Sequence, residues 1–508
     1  MSSEERVAEV SFNAQEETAI RTRLIRLQEK ITEAKVPVVV LLCGPNGSGK
    51  NAMLEILREW MDQRRLNLHA YERRNVRQDP IEFRRYWCDT PENGYTGLFV
   101  SSWYSDPLTA RSYGKMDDGE FHKALDRCVL FEKMLADGGA VLCKIWFRKS
   151  GKAQEKFLCA LDDDPYESWR VMPDDWKNCR FAEKFDETTK MLLRYTGKPF
   201  APWFEITDGS LSERVRSALD VFCTRVESEI AARAAVKPPK NKEIKLHKAA
   251  FLKKVDMGAA LSKNEYNVLL PYMRARLNAL LTEARNRGKK VVLAFEGPDA
   301  SGKGGVISRL ASSVFVRDCT VFPIAAPTKQ ELAHNFLWRF WDRLREQNLL
   351  TVFDRSWYGR VLVERLEHFA TDAEWSRAYD EINAFEKQLT EGDTIVVKFL
   401  LYITADEQLA RFKARQEVAY KTWKIGDEDW RNRDKWDQYE TAFDDMIAKT
   451  DTKYAPWYVI PDNNKKFGRI ETMRLLCERL EKVLDYVPDL PKPDLPEKAP
   501  RKNGKKKN

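Results

Sequence analysis

The sequence predicts two consecutive α/β domains, each a parallel β-sheet with helices on both faces and a helical lid. Three observations lead to this prediction. One domain-length pattern occurs twice in the 508-residue chain, short apolar runs in each copy are typical of buried strands, and helix-length segments separate those runs. Alternation of this kind favours parallel sheets with right-handed crossovers.

The repeat consists of matched segments in the same order. Residues 44–50 (GPNGSGK) match residues 297–303 (GPDASGK), and Lys303 lies 253 residues after Lys50. Further along, two other pairs of segments match at a separation of 254: SWY at 102–104 with 356–358, and APW at 201–203 with 455–457. A drift of one residue over this span indicates a duplicated domain.

The predicted strands are the apolar runs 38–42, 98–100 and 141–147 in the first copy, and 291–295, 350–353 and 395–403 in the second. A segment rich in Pro and Lys interrupts the pattern between the copies. We therefore predict a first domain over 1–227, a linker over 228–250, a second domain over 251–487 and a disordered basic tail over 488–508.

Composition excludes several classes of protein. The chain has 43% hydrophobic residues, a net charge of +8 and nine Cys without CxxC spacing, so neither a zinc site nor a disulfide framework is expected. The N-terminus lacks the apolar core of a signal peptide and no run is long enough to span a membrane. We expect a cytoplasmic protein that requires neither nucleic acid nor membrane; homo-oligomerisation is compatible with the sequence.

Both copies carry Gly-x-x-x-x-Gly-Lys directly after an apolar strand and before an amphipathic segment, which predicts a P-loop. Backbone amides of such a loop and the following helix N-terminus bind phosphate oxygens. In the second copy the predicted phosphate-binding residues are Gly297, Gly302, Lys303, Gly304 and Gly305. Neither Lys is followed by the Ser or Thr that usually binds magnesium, so another ligand is needed.

Two carboxylates are the predicted magnesium ligands. Asp299 lies inside the second loop, where phosphate would repel it unless a cation lay between them. Asp354 ends the strand 350–353, at the sheet edge where open α/β sheets bind ligands. Arg355 follows it and supplies a guanidinium for phosphate. An adjacent Trp357 and Tyr358 either shape an acceptor pocket or pack at the sheet edge.

A basic stretch after the last long strand predicts a lid over the reacting phosphates. Its favoured phosphate-binding residues are Arg411, Arg415, Lys421 and Lys424. Acidic residues are also frequent here, so exposed helical ion pairs are an equal alternative for any single cation.

These motifs together resemble the type-2 polyphosphate kinases. The resemblance is carried by residues 295–305 (FEGPDASGKGG), the stretch 353–360 with 363–365, Trp423-Lys424 and the segment 455–457. The fused double domain, with residues 338–341 (WRFW), is similar to the subgroup that transfers the terminal phosphate of inorganic polyphosphate to AMP, giving ADP. The resemblance implies Mg2+ as cofactor, catalytic roles for Asp299, Lys303, Asp354 and Arg355, and a weaker phosphate contact for Arg360.

Three alternatives stay open on the sequence alone. One is an ATP-dependent nucleoside monophosphate kinase, because the same loop, strand end and lid would serve it. Another is a polyphosphate kinase that acts on nucleoside diphosphates. A third, outside enzymology, is a nucleotide-binding regulatory or scaffold protein.

The first domain is predicted to be catalytically silent. Asn46 stands in place of Asp299, Val100 in place of Asp354 and Ser101 in place of Arg355. Both proposed magnesium ligands are therefore absent from this copy. Structural packing is the favoured role, and capture of a polyanion through Lys50 is the alternative.

Overall fold

The computed structural model describes residues 10–72, 74, 81–207, 209–235, 246–247, 249–344, 348–417 and 426–494. Residues 236–245 and 248 of the predicted linker, two of the predicted lid lysines (Lys421 and Lys424) and most of the predicted tail lie outside these residues. No helix in the described part of the chain is long and apolar enough to cross a membrane.

The first copy of the repeat contains one parallel five-stranded sheet in the described residues, in the order β2-β3-β1-β4-β5. Its strands are β1 Val38–Cys43, β2 Leu66–Ala70, β3 Thr96–Val100, β4 Val141–Phe147 and β5 Trp203–Ile206. Its helices are α1 Ala14–Ala34, α2 Lys50–Trp60, α3 Arg84–Cys88, α4 Ser105–Ser112, α5 Asp118–Asp137, α6 Gly151–Asp162, α7 Pro173–Arg180, α8 Ala182–Thr196 and α9 Leu211–Ala234. Helix α9 thus extends into the range predicted for the linker.

The second copy forms a parallel five-stranded sheet in the order β7-β8-β6-β9-β10. Each strand occupies the place of its counterpart in the first sheet. Its strands are β6 Lys290–Glu296, β7 Cys319–Pro323, β8 Leu350–Asp354, β9 Thr394–Tyr402 and β10 Trp457–Pro461. Its helices are α10 Lys263–Asn286, α11 Lys303–Ala311, α12 Lys329–Leu332, α13 Trp338–Arg343, α14 Val363–Leu366, α15 Asp372–Glu391, α16 Ala405–Gln416, α17 Asp427–Asp434, α18 Trp436–Thr450 and α19 Lys465–Leu484.

The predicted fold class is therefore confirmed. Every predicted strand is present, and each of the two loops follows the central strand of its sheet. In each copy an apolar core fills the space between the central strands and the flanking helices, with residues such as Leu42 and Leu57 in the first and Leu293 and Leu476 in the second. Burial of this apolar surface is the main stabilising contribution to each sheet.

Spatially the chain divides into two units, Met1–Pro238 with Pro327–Trp341, and Pro239–Ala326 with Asp342–Asn508. A segment of the second copy therefore belongs to the first unit. Within that unit Trp341 stacks on Trp87 with ring centroids 6.1 Å apart, and Trp338 Nε1 donates to the carbonyl oxygen of Cys88 at 3.1 Å. Trp341 follows Trp87 by 254 residues, so the two stacked rings are equivalent positions of the repeat.

The sheet order places the candidate site of the second unit. Strands β6 and β8 are adjacent and parallel, with Phe295 opposite Asp354. The Gly-rich loop that leaves β6 and the acidic end of β8 therefore lie side by side. This is the carboxyl edge of the sheet, where ligands of open α/β folds bind.

Candidate active site

The loop between β6 and α11 has the backbone geometry of a phosphate cradle. Gly297 and Gly302 adopt φ angles of 145° and 108°, and Ala300 has a φ of 63°. A Cβ atom at Gly302 would lie 2.3 Å from Oδ2 of Asp462, so only glycine fits there. Gly304 has open space around it, which leaves the start of α11 accessible to an anion.

Lys303 lies across this loop. Its Nζ donates to the carbonyl oxygen of Gly297 at 2.7 Å and of Pro298 at 3.4 Å. Burial lowers the pKa of Lys303, and the charge of Arg355 lowers it further. A phosphate is a stronger acceptor for this ammonium group than a carbonyl oxygen, so the lysine is positioned to transfer its hydrogen bonds to a bound anion.

Asp299 and Arg355 form an ion pair between the loop and the end of β8, with Arg355 Nη2 at 2.8 Å from Asp299 Oδ1. The other carboxylate oxygen of Asp299 accepts from Asn432 Nδ2 at 2.9 Å, and its backbone carbonyl accepts from Gln408 Nε2 at 3.0 Å. Asn432 and Gln408 come from helices α17 and α16. The predicted loop aspartate is thus held in place from three elements.

Asp354 is half-buried at the end of β8. Together with Asp299 and Glu296 its charge raises the pKa of Lys303, opposing the effect of burial. The four predicted catalytic residues, Asp299, Lys303, Asp354 and Arg355, are therefore brought together at one edge of the sheet.

Glu296 is a residue of this site that the sequence does not predict, and it is only 4% exposed. Its Oε1 accepts hydrogen bonds from the amide and the hydroxyl of Ser356, both at 2.8 Å, and burial raises its pKa. These bonds tie β6 to the turn after Arg355. Cys43 occupies the equivalent position in the first copy. This difference between the two copies is the sequence signal that could have indicated a role for Glu296.

The donor set suits magnesium. Among the described residues no group of three or more His, Cys, Asp or Glu could hold a metal ion alone. Magnesium commonly binds through one or two carboxylates, with phosphate and water oxygens completing its octahedral shell. Asp354 and Asp299 supply such oxygens beside the phosphate loop, so these residues fit a cation that binds together with its phosphate substrate.

Comparison with known proteins identifies the family of this chain. The family model for polyphosphate kinase 2 (PPK2) matches residues 9–230 and again residues 260–486. This chain belongs to the PPK2 family. The two matched ranges correspond to the two copies of the repeat, as the resemblance in sequence implies.

Full-length relatives share both copies. A polyphosphate:AMP phosphotransferase of Pseudomonas aeruginosa is 40% identical over 91% of this chain and 94% of its own length. A polyphosphate:AMP phosphotransferase of Acinetobacter johnsonii is 36% identical over 87% of this chain and 91% of its length. A crystal structure described as polyphosphate kinase 2 from Pseudomonas aeruginosa superposes with a TM-score of 0.82 at 36% identity, covering 96% of this chain and 100% of that one.

In this PPK2 chain the lid residue Arg411 supports the loop. Its guanidinium donates to the carbonyl oxygens of Ala300 and Ser301, both at 2.9 Å, and lies 3.4 Å from Oδ2 of Asp462. Nε also pairs with Glu407 at 2.7 Å. Only 4% of this side chain is exposed, so the structure gives Arg411 a positioning role in place of the direct phosphate contact that the sequence favours.

The remaining predicted cations differ in their surroundings. Arg415 is half-buried, and burial lowers the pKa of its guanidinium. The charges of Asp429 and Asp299 act in the opposite direction, so Arg415 lies within electrostatic range of Asp299. Arg360 forms an ion pair with Glu364 at 3.0 Å.

Trp357 and Tyr358 are fully buried, which favours the packing alternative. Trp357 Nε1 and the hydroxyl of Tyr358 donate to Oε1 of Glu386 at 3.0 and 2.7 Å. Lys398 Nζ contacts the other oxygen of Glu386 at 2.7 Å. The first copy has the same network in Trp103, Tyr104, Glu132 and Lys144, so this network belongs to the fold and not to the chemistry.

The first-copy loop has the same lysine contact but lacks counterparts of Asp299 and Asp354. Lys50 Nζ donates to the Gly44 carbonyl oxygen at 2.7 Å, as Lys303 does to Gly297. Asn46, in place of Asp299, donates to Asp175 at 2.6 Å. The loop faces a cavity lined by both acidic and basic side chains.

Proposed function

We propose that this chain transfers the terminal phosphoryl group of inorganic polyphosphate to AMP, producing ADP, and that the reaction takes place at the second Gly-rich loop. The observation that carries the proposal is the Asp299 to Arg355 pair beside Lys303 and Asp354, which occurs in the second copy only. The names of the full-length relatives support the choice of donor and acceptor.

The mechanism is an in-line displacement. A phosphate oxygen of AMP attacks the terminal phosphorus of polyphosphate, the bond from that phosphorus to its bridging oxygen breaks, and the shortened polyphosphate keeps the electron pair. Charge builds up on the transferred group and on the bridging oxygen. Loop amides and Lys303 bind these oxygens, and Arg355 neutralises the approaching phosphates.

Asp299 and Asp354 would hold magnesium, which when bound screens the repulsion between donor and acceptor phosphates and polarises the transferred group. The chain itself fixes the geometry. Asn432 and Gln408 orient Asp299, while Arg411 holds the carbonyl oxygens of the loop away from the phosphate, so that its amides face the anion. The lid helices α16 and α17 supply these side chains and exclude water from the transfer.

The experiment is a comparison of donors and acceptors with the purified full-length chain. Polyphosphate with magnesium is incubated with AMP, with ADP or with another nucleoside diphosphate, and ATP replaces polyphosphate in a parallel series. Ion-exchange chromatography separates the products. We expect ADP from AMP and polyphosphate, and loss of this product when a chelator removes the metal.

Each alternative has its own outcome. Product from AMP only with ATP as donor would make the chain a nucleoside monophosphate kinase. Product only from nucleoside diphosphates would place it in another PPK2 subgroup. Tight binding of polyphosphate and nucleotide without turnover would support a regulatory or scaffold role.

A further inference from the structure

A mainly apolar pocket lies beside the second loop. Leu362, Val363, Trp436 and Phe443 contribute apolar walls. The pocket also includes Asp299, proposed as a magnesium ligand, and Arg355, proposed to neutralise the approaching phosphates. The cavity volume is about 70 Å³, so an acceptor phosphate bound beside it would direct one edge of the base or ribose into this pocket, where apolar surface and a few polar contacts are available.

Glu440 lines this pocket, and no cation pairs with its carboxylate among the described residues. Glu440 lies in α18, four residues after Trp436, and its Oε1 accepts a hydrogen bond from the hydroxyl of Tyr402 at the end of β9. Three other polar side chains of the pocket have partners outside it or in the loop: Asn432 and Gln408 donate to Asp299, and Glu296 accepts from Ser356. The Glu440 carboxylate retains capacity to accept from a ligand, because an ionised carboxylate has about four acceptor sites.

The first copy shows that the fold does not require this arrangement. Asp186 and Arg148 stand at the positions equivalent to Glu440 and Tyr402, and they form an ion pair at 2.7 Å. The apolar walls are also reduced there, because Ala182 replaces Trp436 and Thr189 replaces Phe443. Among the described residues, the second copy therefore has a carboxylate without a cationic partner beside its loop where the first copy has an ion pair.

We propose that Glu440 accepts a hydrogen bond from a donor on the acceptor nucleoside, either the amino group of adenine or a ribose hydroxyl, and thereby selects the acceptor nucleotide. The inference rests on the proposed function, because it assigns the nucleoside of AMP to this pocket. A charged acceptor that a bound ligand covers discriminates against a ligand that lacks the matching donor, because the acceptor is then desolvated without a partner.

The test uses the full-length chain and its Glu440→Gln variant, with polyphosphate and four acceptors. These are AMP, purine riboside 5′-monophosphate, which lacks the amino group, and the 2′-deoxy and 3′-deoxy forms of AMP. Gln keeps an acceptor for Tyr402 but removes the charge. We expect KM for AMP to rise roughly fivefold in the variant while kcat changes little, since a charged acceptor binds more strongly than a neutral one.

The four acceptors together identify which hydrogen-bond donor of the nucleoside Glu440 contacts. The analogue that lacks this donor should show the same KM with wild type and with Glu440→Gln, and the identity of that analogue decides between amino group and hydroxyl. Asp186→Asn, at the equivalent position of the first copy, is the matched control and should leave all four KM values unchanged.

Two results would overturn the inference: unchanged KM values for all four acceptors in Glu440→Gln, or an equal rise for all four, which indicates a structural role. If wild type makes no ADP from AMP and polyphosphate, the proposed function fails instead. In that case calorimetric titration of wild type and Glu440→Gln with AMP and the analogues still decides the role of Glu440.

Discussion

Arg355 donates from Nη2 to Oδ1 of Asp299 at 2.8 Å and so joins the end of β8 to the phosphate loop. Arg355 reaches the loop from a left-handed backbone conformation with a φ of 62°, which is unfavourable for a residue with a side chain. Ser101, its equivalent in the first copy, has a φ of 57°. The turn is therefore a property of the shared fold, and the side chains carried on it distinguish the two copies.

Replacing either proposed magnesium ligand should abolish most transfer. For Asp299→Asn and for Asp354→Asn we expect a loss of about 2 to 4 kcal/mol in transition-state stabilisation, or roughly 30-fold to 1,000-fold in kcat. The measurement is ADP formation against magnesium concentration, with circular dichroism to verify folding. Asn46→Ala, at the first-copy position matching Asp299, is the control, and activity within a fewfold of wild type for both Asp variants would refute the metal assignment.

Arg411 should be required for loop geometry, although it is not placed to bind phosphate. Arg411→Met removes the donors to the Ala300 and Ser301 carbonyl oxygens and leaves Asp462 buried beside an apolar side chain. Breaking a buried ion pair in this way costs about 3 to 5 kcal/mol of folding stability. We expect a lower unfolding midpoint and a raised KM for polyphosphate, whereas Lys413→Met, exposed on the same helix, should match wild type in both measurements.

Asp462 gives the protein a distinct pH dependence. Burial raises its pKa to about 6 despite the opposing charges of Arg411, Arg469 and Lys465. Its folded pKa lies above its unfolded value, so between about pH 4 and 6 the folded state binds more protons, and rising pH reduces stability through this group. Relative to Asp462→Asn, wild type should lose about 3 kcal/mol of unfolding free energy across this window, measured by urea denaturation at several pH values. Parallel pH profiles for the two proteins would contradict the assignment.

The sequence predicts the central strands well because they are buried on both faces. Strand β9, for example, is buried at every position from Thr394 to Tyr402 and is apolar apart from Thr394 and Lys398. The edge strands of the two sheets, β2, β5, β7 and β10, escaped prediction, since each spans only four or five residues that are mostly half-buried or exposed. Short edge strands depend on pairing with a neighbour, which a local pattern does not reveal.

The site was predictable to the extent that its residues lie within motifs. Asp354 ends β8, while Asp299 and Lys303 lie in the loop after β6 and at the start of α11. The topology of a parallel sheet therefore brings them together. Asn432 and Gln408 reach Asp299 over more than 100 positions of chain, and nothing near them in sequence marks this contact. The charge of Arg411 made it a predicted phosphate-binding residue, but its partners in the structure include backbone carbonyl oxygens that only the folded loop presents.

The buried lysines of the two copies should contribute equally to stability. Lys398 and Lys144 each lie within a fully buried network, 2.7 Å from Glu386 and Glu132 respectively. Replacing either by Met leaves an uncompensated buried carboxylate, with an expected loss of about 3 to 5 kcal/mol in unfolding free energy. Lys184→Met removes an exposed ion pair and should cost less than about 1 kcal/mol. A Lys398→Met variant as stable as that control would show that the network is dispensable.

The last prediction is that the first loop takes no direct part in transfer, and the matched lysines test it. Lys50 and Lys303 make the same 2.7 Å bond to the first glycine of their loops, so Ala at either position removes the same group from the same backbone. Only Lys303 lies among carboxylates that can hold magnesium, because Asn46 and Val100 replace them in the first copy. We expect Lys303→Ala to lower kcat by roughly 100-fold or more and Lys50→Ala to retain nearly full turnover of AMP. Loss of most activity in a well-folded Lys50→Ala protein would show instead that the first loop acts in the reaction. If only the KM for long polyphosphate increased, the first loop would be assigned to capture of the polyanion.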